Sequence, residues 1–463
     1  MTNHGRSGDI QIEAPLARHP DVQRAVEDRS YIVFFGGALF SALGGGFLLA
    51  IALSLLLAGR IDWPQNSLGL TQAHGWAQLQ GWAGLFVAGM SIRLLPRFAG
   101  RKPIAAPINI AVFVLLFLGV GGRTIAQALF EGGTAGALIL ASNTLAALGT
   151  AAVAAIIAWT LARGRRKPEA WYAFAWAGAA WWAAWAILLL KSGAEARDTG
   201  FVPVRLDDAI AWAIMLGAIA NFIWSVQSRS VPIFFGRKQP RLRVLLAPCI
   251  LLNAGAAAVL LSSSLDAGTD TTRLYGAGLA ISGAALLWLA PVAGATWGRA
   301  SRLRPRARAA ARYVLAANIA GLAAGLLLLW MGVATVASGD LEYAYLRDAA
   351  RHAIGLGLIT SLIFGMARLV APVFALERAE SRGPDWIDIA AFWAIVAAII
   401  LRTAAALLAD ATDIGPRMDS AAASGIFAWL AIALFAVSVA RAIRREPAMR
   451  ELLVAPARGN PGD

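Results

Sequence analysis

The chain has 463 residues, is 59% hydrophobic and 15% charged, and carries a formal net charge of +14. Ordinary soluble domains are roughly 45–50% apolar and about 25% charged, so the composition excludes a soluble globular protein and indicates an integral membrane one. The positive charge does not indicate nucleic acid, because most of the 41 Lys and Arg residues gather in alternate loops rather than on one patch.

The first 30 residues are polar and mixed in charge. They lack the short apolar core and cleavage site of a signal peptide and are expected to remain as a cytoplasmic tail. Stretches able to cross ~30 Å of hydrocarbon follow. They fall at 31–58, 70–95, 104–130, 134–162, 169–190, 208–234, 244–265, 274–298, 310–337, 342–376, 386–409 and 422–443. The expected fold is all-α and polytopic, a single domain of twelve transmembrane helices over 31–443 with a cytoplasmic tail over 444–463.

Lys and Arg concentrate in the N-terminal tail, 96–104, 163–168, 235–243, 299–312, 377–383 and the C-terminal tail. By the positive-inside rule that side is the cytoplasm, so both termini are expected there, in a bacterial inner membrane. The opposite loops carry the acids Asp198, Asp207, Asp208, Asp266, Asp270, Asp340, Glu342, Asp410, Asp413 and Asp419, expected mostly as a solvated face.

An internal repeat divides the chain. Span 2 ends Arg93-Leu-Leu-Pro96-Arg-Phe98-Ala-Gly100-Arg101-Lys102, and span 6 ends Arg229-Ser-Val-Pro232-Ile-Phe234-Phe-Gly236-Arg237-Lys238, at a constant offset of 136. Span 10 ends more loosely, with Arg368 and Pro372 one residue further apart. Three parallel four-helix pseudo-repeats are expected, at 31–162, 169–298 and 310–443.

Two of the four histidines lie within spans. His74 and His352 are 278 residues apart, and each is followed in the next span by an arginine, Arg123 and Arg402. Ionisable residues at membrane depth are costly and usually functional. His74 precedes Pro96 by 22 residues and His352 precedes Pro372 by 20, roughly 33 and 30 Å along a helix, which places both in the outer half of the membrane. Two facing helices with one imidazole each can clamp a b-type haem, and Arg123, Arg402 and Arg351 can pair with its propionates. Gly81 and Gly355 (with Gly75 and Gly357) permit close approach of a flat ring, and Gln78 can orient a ligand. The competing explanation is a pair of histidines that merely bond across helices, beside arginines that snorkel to the interface.

Two resemblances arise at these residues. The run from His74-Gly75-Trp76 through Gly84-Leu85-Phe86 to Leu95-Pro96, and that from His352-Ala353-Ile354-Gly355 to Pro372, resemble the helices that carry the low-spin haem ligands in haem–copper oxidase subunit I. The spacing of His74, Pro96 and Gly100-Arg101, with Gly122-Arg123 and His352-Ala353, is more similar to the NnrS family. That resemblance implies a twelve-helix bacterial membrane protein associated with haem, copper and nitric oxide stress. Where the family has a second His and a Glu, this chain has Trp76 and Ala77, so copper stays an open reading. The catalytic ligands of an oxygen-reducing centre are missing, which leaves electron transfer or handling of a diatomic gas. A secondary transporter or an assembly factor without haem is the alternative.

The remaining features have plainer explanations. Cys249, the only cysteine, is expected to be a buried inert thiol. Trp171, Trp176, Trp181, Trp182 and Trp185 are expected in helix or lipid contacts, Asn143, Asn221, Asn253 and Asn318 in interhelical bonds, and Asp207 and Asp208 as N-caps of span 6.

Overall fold

A computed structural model describes residues 29–63, 67–166, 169–293, 305–341, 344–374, 386–408 and 413–454, and their regular structure is entirely helical. Of the expected tails (1–30 and 444–463), residues 1–28, with His4 and His19, and 455–463 lie outside the described residues, as do the basic loop 377–383, Glu342 and Asp410, whereas 444–454 continue the last helix. In hydrocarbon a peptide group has no water partner, and a helix satisfies its own N–H and C=O groups.

The helices in chain order are α1 (Tyr31–Leu57), α2 (Ser67–Trp76, Ala77–Gly84 and Leu85–Ala99), α3 (Ala106–Leu129), α4 (Gly132–Ala162), α5 (Ala170–Ala196) and α6 (Val204–Phe234). There follow α7 (Leu242–Ser262), α8 (Thr269–Ala293), α9 (Pro305–Ser338), α10 (Ala344–His352, Ala353–Thr360 and Ser361–Phe374), α11 (Trp386–Leu407) and α12 (Ile414–Val454). Among the described residues, 11 helices are long and apolar enough to cross a membrane. The expected count was twelve, and α2 is the helix that falls short of the apolar criterion. It carries Gln72, His74, Gln78, Gln80 and Arg93, and its composition makes sense from its place in the bundle.

Three helices form the centre. In α6 and α10 the apolar windows are 89% buried, against 28% for α1 and 33% for α3 and α11. Every α2 residue from Gln80 to Pro96 is buried. A helix that faces protein rather than lipid need not be apolar all round. The other helices pack around these three, each against its neighbour, and α12 closes the ring on α1.

The three central helices share local detail. Each contains a π-helical stretch, beginning at Ala77, Ala213 and Ala353, as α1 does at Ser41–Gly46, and such widened turns are rare and common at functional sites. Gly100 and Gly236 both end their helices with positive φ, 69° and 65°. In each case the following Arg N–H donates to the proline carbonyl five residues back, at 2.7 Å, the left-handed cap that glycine favours. Arg93, Arg229 and Arg368 each lie over a ring, of Tyr31, Phe98 and Tyr313 at 5.1, 4.7 and 5.3 Å.

A cavity of about 40 Å³ separates the three helices in the half that holds the prolines. Its lining includes Phe86, Phe222 and Leu362, and Met90, Val226 and Met366, one from each helix at the offsets set by the π stretches.

Candidate metal centre

The π stretches fix a register of 136 between α2 and α6 and of 276 between α2 and α10. The histidines are 278 apart, so they do not occupy equivalent positions. His352 shares its place with Trp76 and Trp212, and His74 sits two residues earlier on its helix. One turn before the shared position stand Gln72, Asp208 and Asp348, a matched polar set.

The structure brings the two histidines into one neighbourhood. The π stretches just beyond them touch, and Trp82 Nε1 donates to Thr360 Oγ1 across the same contact at 3.0 Å. His74 is within electrostatic reach of His352, Arg402 and Asp348. His74 Nδ1 lies 2.8 Å from the Gly46 carbonyl oxygen of α1. His352 Nδ1 lies 2.9 Å from the Asp348 carbonyl oxygen and 3.2 Å from Asp348 Oδ1. A carbonyl oxygen can only accept, so in both rings Nδ1 carries a proton, and in a neutral ring the lone pair is then on Nε2. That is the tautomer a metal requires, with the rear nitrogen oriented by an acceptor.

A layer of ion pairs surrounds the imidazoles. Arg123 is 1% exposed. Its guanidinium lies 4.1 Å over the Trp76 ring, its Nε donates to Gln127 at 3.1 Å, and its second arm reaches Asp207 at 3.4 Å. Gln127 donates in turn to Gln72 at 2.6 Å. Asp208 accepts from Arg351, from Arg347 at 3.3 Å and from the Tyr275 hydroxyl at 2.8 Å. Arg351 lies over the Trp212 ring at 5.2 Å, repeating the arrangement of Arg123 and Trp76. Arg402 donates to Asp348 at 3.0 Å.

The expected site residues therefore fall as follows. His74, His352, Arg123, Arg351 and Arg402 share one end of the bundle, and each arginine already has an aspartate. Arg123 keeps a buried Nη1, and Arg351 a buried Nε, without a hydrogen-bond partner. Gln78 packs on Gly46, the residue that holds His74, with its Nε2 unpartnered. Gly81 admits Ser41 and Val120, whose atoms a Cβ would meet at 2.7 and 3.1 Å, so it serves a helix contact. Gly75 and Gly355 open onto free space, with nothing within 4 Å of an added Cβ.

One expectation is corrected. Asp207 and Asp208 do not cap α6, whose N-cap is Pro203 with no side-chain bond. They lie inside its first turns and neutralise arginines from other helices. Sequence reasoning missed this role, and missed Asp348 altogether. The signal was present, since Asp208 and Asp348 follow Gln72 at 136 and 276 residues.

Other expectations hold. Cys249 is buried. Trp182 and Trp185 pack 5.0 Å apart inside the bundle, and Trp181 donates to Asn253 at 2.7 Å. Asn143 bonds to Leu189 and Ser192, and Asn221 to Asn253, across helices.

The NnrS family model, described as "NnrS protein", matches residues 32–446. The chain belongs to the NnrS family. No curated protein matches it. The NnrS match runs from α1 into α12 and contains the whole site. Among the described residues no group of three or more His, Cys, Asp or Glu could hold a bare metal ion. A haem needs less, because the porphyrin supplies four nitrogens and the protein only the axial ligands. Two Nε2 lone pairs, open space beside Gly75 and Gly355 and unpartnered N–H groups on Arg123 and Arg351 fit that requirement.

Proposed function

We propose that this NnrS-family chain is a twelve-span membrane protein that binds one b-type haem between His74 and His352. In this reading α2 is the twelfth crossing, its polar residues turned to the interior, and the bundle is built from three four-helix units. The basic loops lie in the cytoplasm of a bacterial inner membrane, and the histidines lie near the opposite face. Recurrent π stretches, matched glycine caps and the ring of helices around three central ones support the repeat.

The observation that carries the haem assignment is the shared geometry, with each Nδ1 against a main-chain oxygen acceptor, which in a neutral ring leaves the Nε2 lone pair for a metal. Bound haem would supply one-electron exchange and affinity for diatomic gases such as nitric oxide. The residues do the rest. Gly46 and Asp348 hold the protons on the imidazole Nδ1 atoms. Arg123 and Arg351 offer their spare N–H groups to the propionates, and Asp207 and Asp208 keep these arginines from being isolated charges in a low-dielectric interior. A haem held by both His74 and His352 would suit electron transfer or sensing better than turnover, and either fits a role in nitric oxide stress.

The test is the optical spectrum of protein purified after expression with ample haem. A Soret band with a sharp reduced α band is expected. A colourless preparation would instead favour a transporter or an assembly factor.

A further inference from the structure

The two histidines differ in what stands behind them. His74 is backed by the neutral main-chain oxygen of Gly46 at 2.8 Å. His352 is backed by a main-chain oxygen and also by the Asp348 carboxylate at 3.2 Å. We propose that Asp348 is a positioning residue that makes His352 the stronger donor of the pair, with Arg402 fixing Asp348; this rests on the haem assignment above.

Three observations carry it. The first is geometry on one helix. Asp348 and His352 are four residues apart on α10, so their side chains lie on one face a turn apart. The second is the register. Gln72, Asp208 and Asp348 occupy one position in the three central helices, and each reaches out of its helix, to Gln127, to Tyr275 and to Arg402. Only in α10 is the residue one turn on a histidine, so only there does this anchor double as the partner of a ligand. The third is Arg402 itself. Its guanidinium donates to Asp348 Oδ1 at 3.0 Å and lies 2.8 Å from Oδ2, which holds the carboxylate against the ring. Arg402 is thus better placed to fix Asp348 than to hold a propionate.

The consequence follows from simple electrostatics. A charged acceptor draws the Nδ1 proton more strongly than a carbonyl does. The ring then carries more electron density at Nε2, the effect that carboxylates exert on metal-bound histidines in general. His74, without such a partner, is the weaker ligand.

Resonance Raman spectroscopy of the reduced holoprotein tests this. With His74→Gly, His352 is the single axial ligand, and the iron–histidine stretch reports its donor strength. Adding Asp348→Asn should lower that frequency. The His352→Gly protein should show the lower frequency from the start and ignore Asp348→Asn. A stretch that does not move in the first background, or that is the same for both histidines, would overturn the proposal. The intact two-histidine protein gives a second measurement, for the event that a single-ligand variant does not hold haem. There Asp348→Asn should raise the reduction potential enough to change the reduced-to-oxidised ratio at least tenfold, ~59 mV for one electron, and Asp348→Glu should restore it. An unmoved potential would also overturn it. Absence of haem from the unmodified chain is a different failure, and sinks the haem assignment itself.

Discussion

Removing the Asp208 carboxylate probes the ion-pair layer where it joins most helices. Asp208 accepts from Arg347 and Arg351 on α10 and from Tyr275 on α8. In Asp208→Ala both arginines lose that partner and the Tyr275 hydroxyl loses its acceptor. Breaking a buried pair from one side costs roughly 3–5 kcal/mol. Arg347 and Arg351 keep 30% and 29% side-chain exposure, so screening reduces the expected loss to about 2 kcal/mol, near a 30-fold fall in the folded-to-unfolded ratio. Reversible unfolding in mixed detergent and dodecyl sulfate, followed by circular dichroism, reads this directly. Asp270 serves as the control, because its carboxylate is exposed and 3.9 Å from Arg273. Asp270→Ala should stay within about 0.5 kcal/mol of the parent. If Asp208→Ala is equally mild, the arginines are sustained by water and the layer does not hold the helices together.

Three further outcomes are expected. Gly136→Ala should destabilise by about 1–3 kcal/mol, because its Cβ would fall 1.8 Å from the Arg197 carbonyl oxygen; the same unfolding assay should find Gly121→Ala neutral or stabilising, since nothing lies within 4 Å there. Asn221→Ala breaks its bond to Asn253 across α6 and α7 and should cost about 0.6–1.7 kcal/mol in the parent, and less than that when made in an Asn253→Ala background. For topology, Asp270→Cys should react with a membrane-impermeant maleimide added outside intact cells and Arg165→Cys should not, with the buried Cys249 as a silent background; the reverse labelling would invert the proposed orientation.

The lipid-facing helices were legible from hydropathy alone, because composition there answers only to the solvent. Of the central helices, α6 and α10 were equally legible and α2 less so. α2 falls short of the apolar criterion, although 70–95 reads as a span, and the Pro96–Gly100 ending it shares with α6 marks it as an equivalent of that helix. The site was half legible. His74, His352, Arg123 and Arg402 stand out because charge is rare inside spans. Their partners do not, because Asp207 and Asp208 resemble ordinary helix-start acids, and the arginines they meet are 84 and 143 residues away in the chain. Gly46 offers only a main-chain oxygen, which leaves no trace in a sequence. The apparent equivalence of the histidines came from a spacing of 278, where the helices are in register at 276. A slip of two residues turns a side chain more than half-way round a helix, so the difference is physical rather than clerical.

The most direct measurement is the oxidised and reduced absorption spectrum of the purified full-length chain, with haem quantified per protein, alongside His74→Ala and His352→Ala. One haem per chain is expected, with a low-spin spectrum in the parent that either substitution converts or abolishes. A low-spin spectrum that survives both substitutions, or a protein that binds no haem at all, would contradict ligation by His74 and His352.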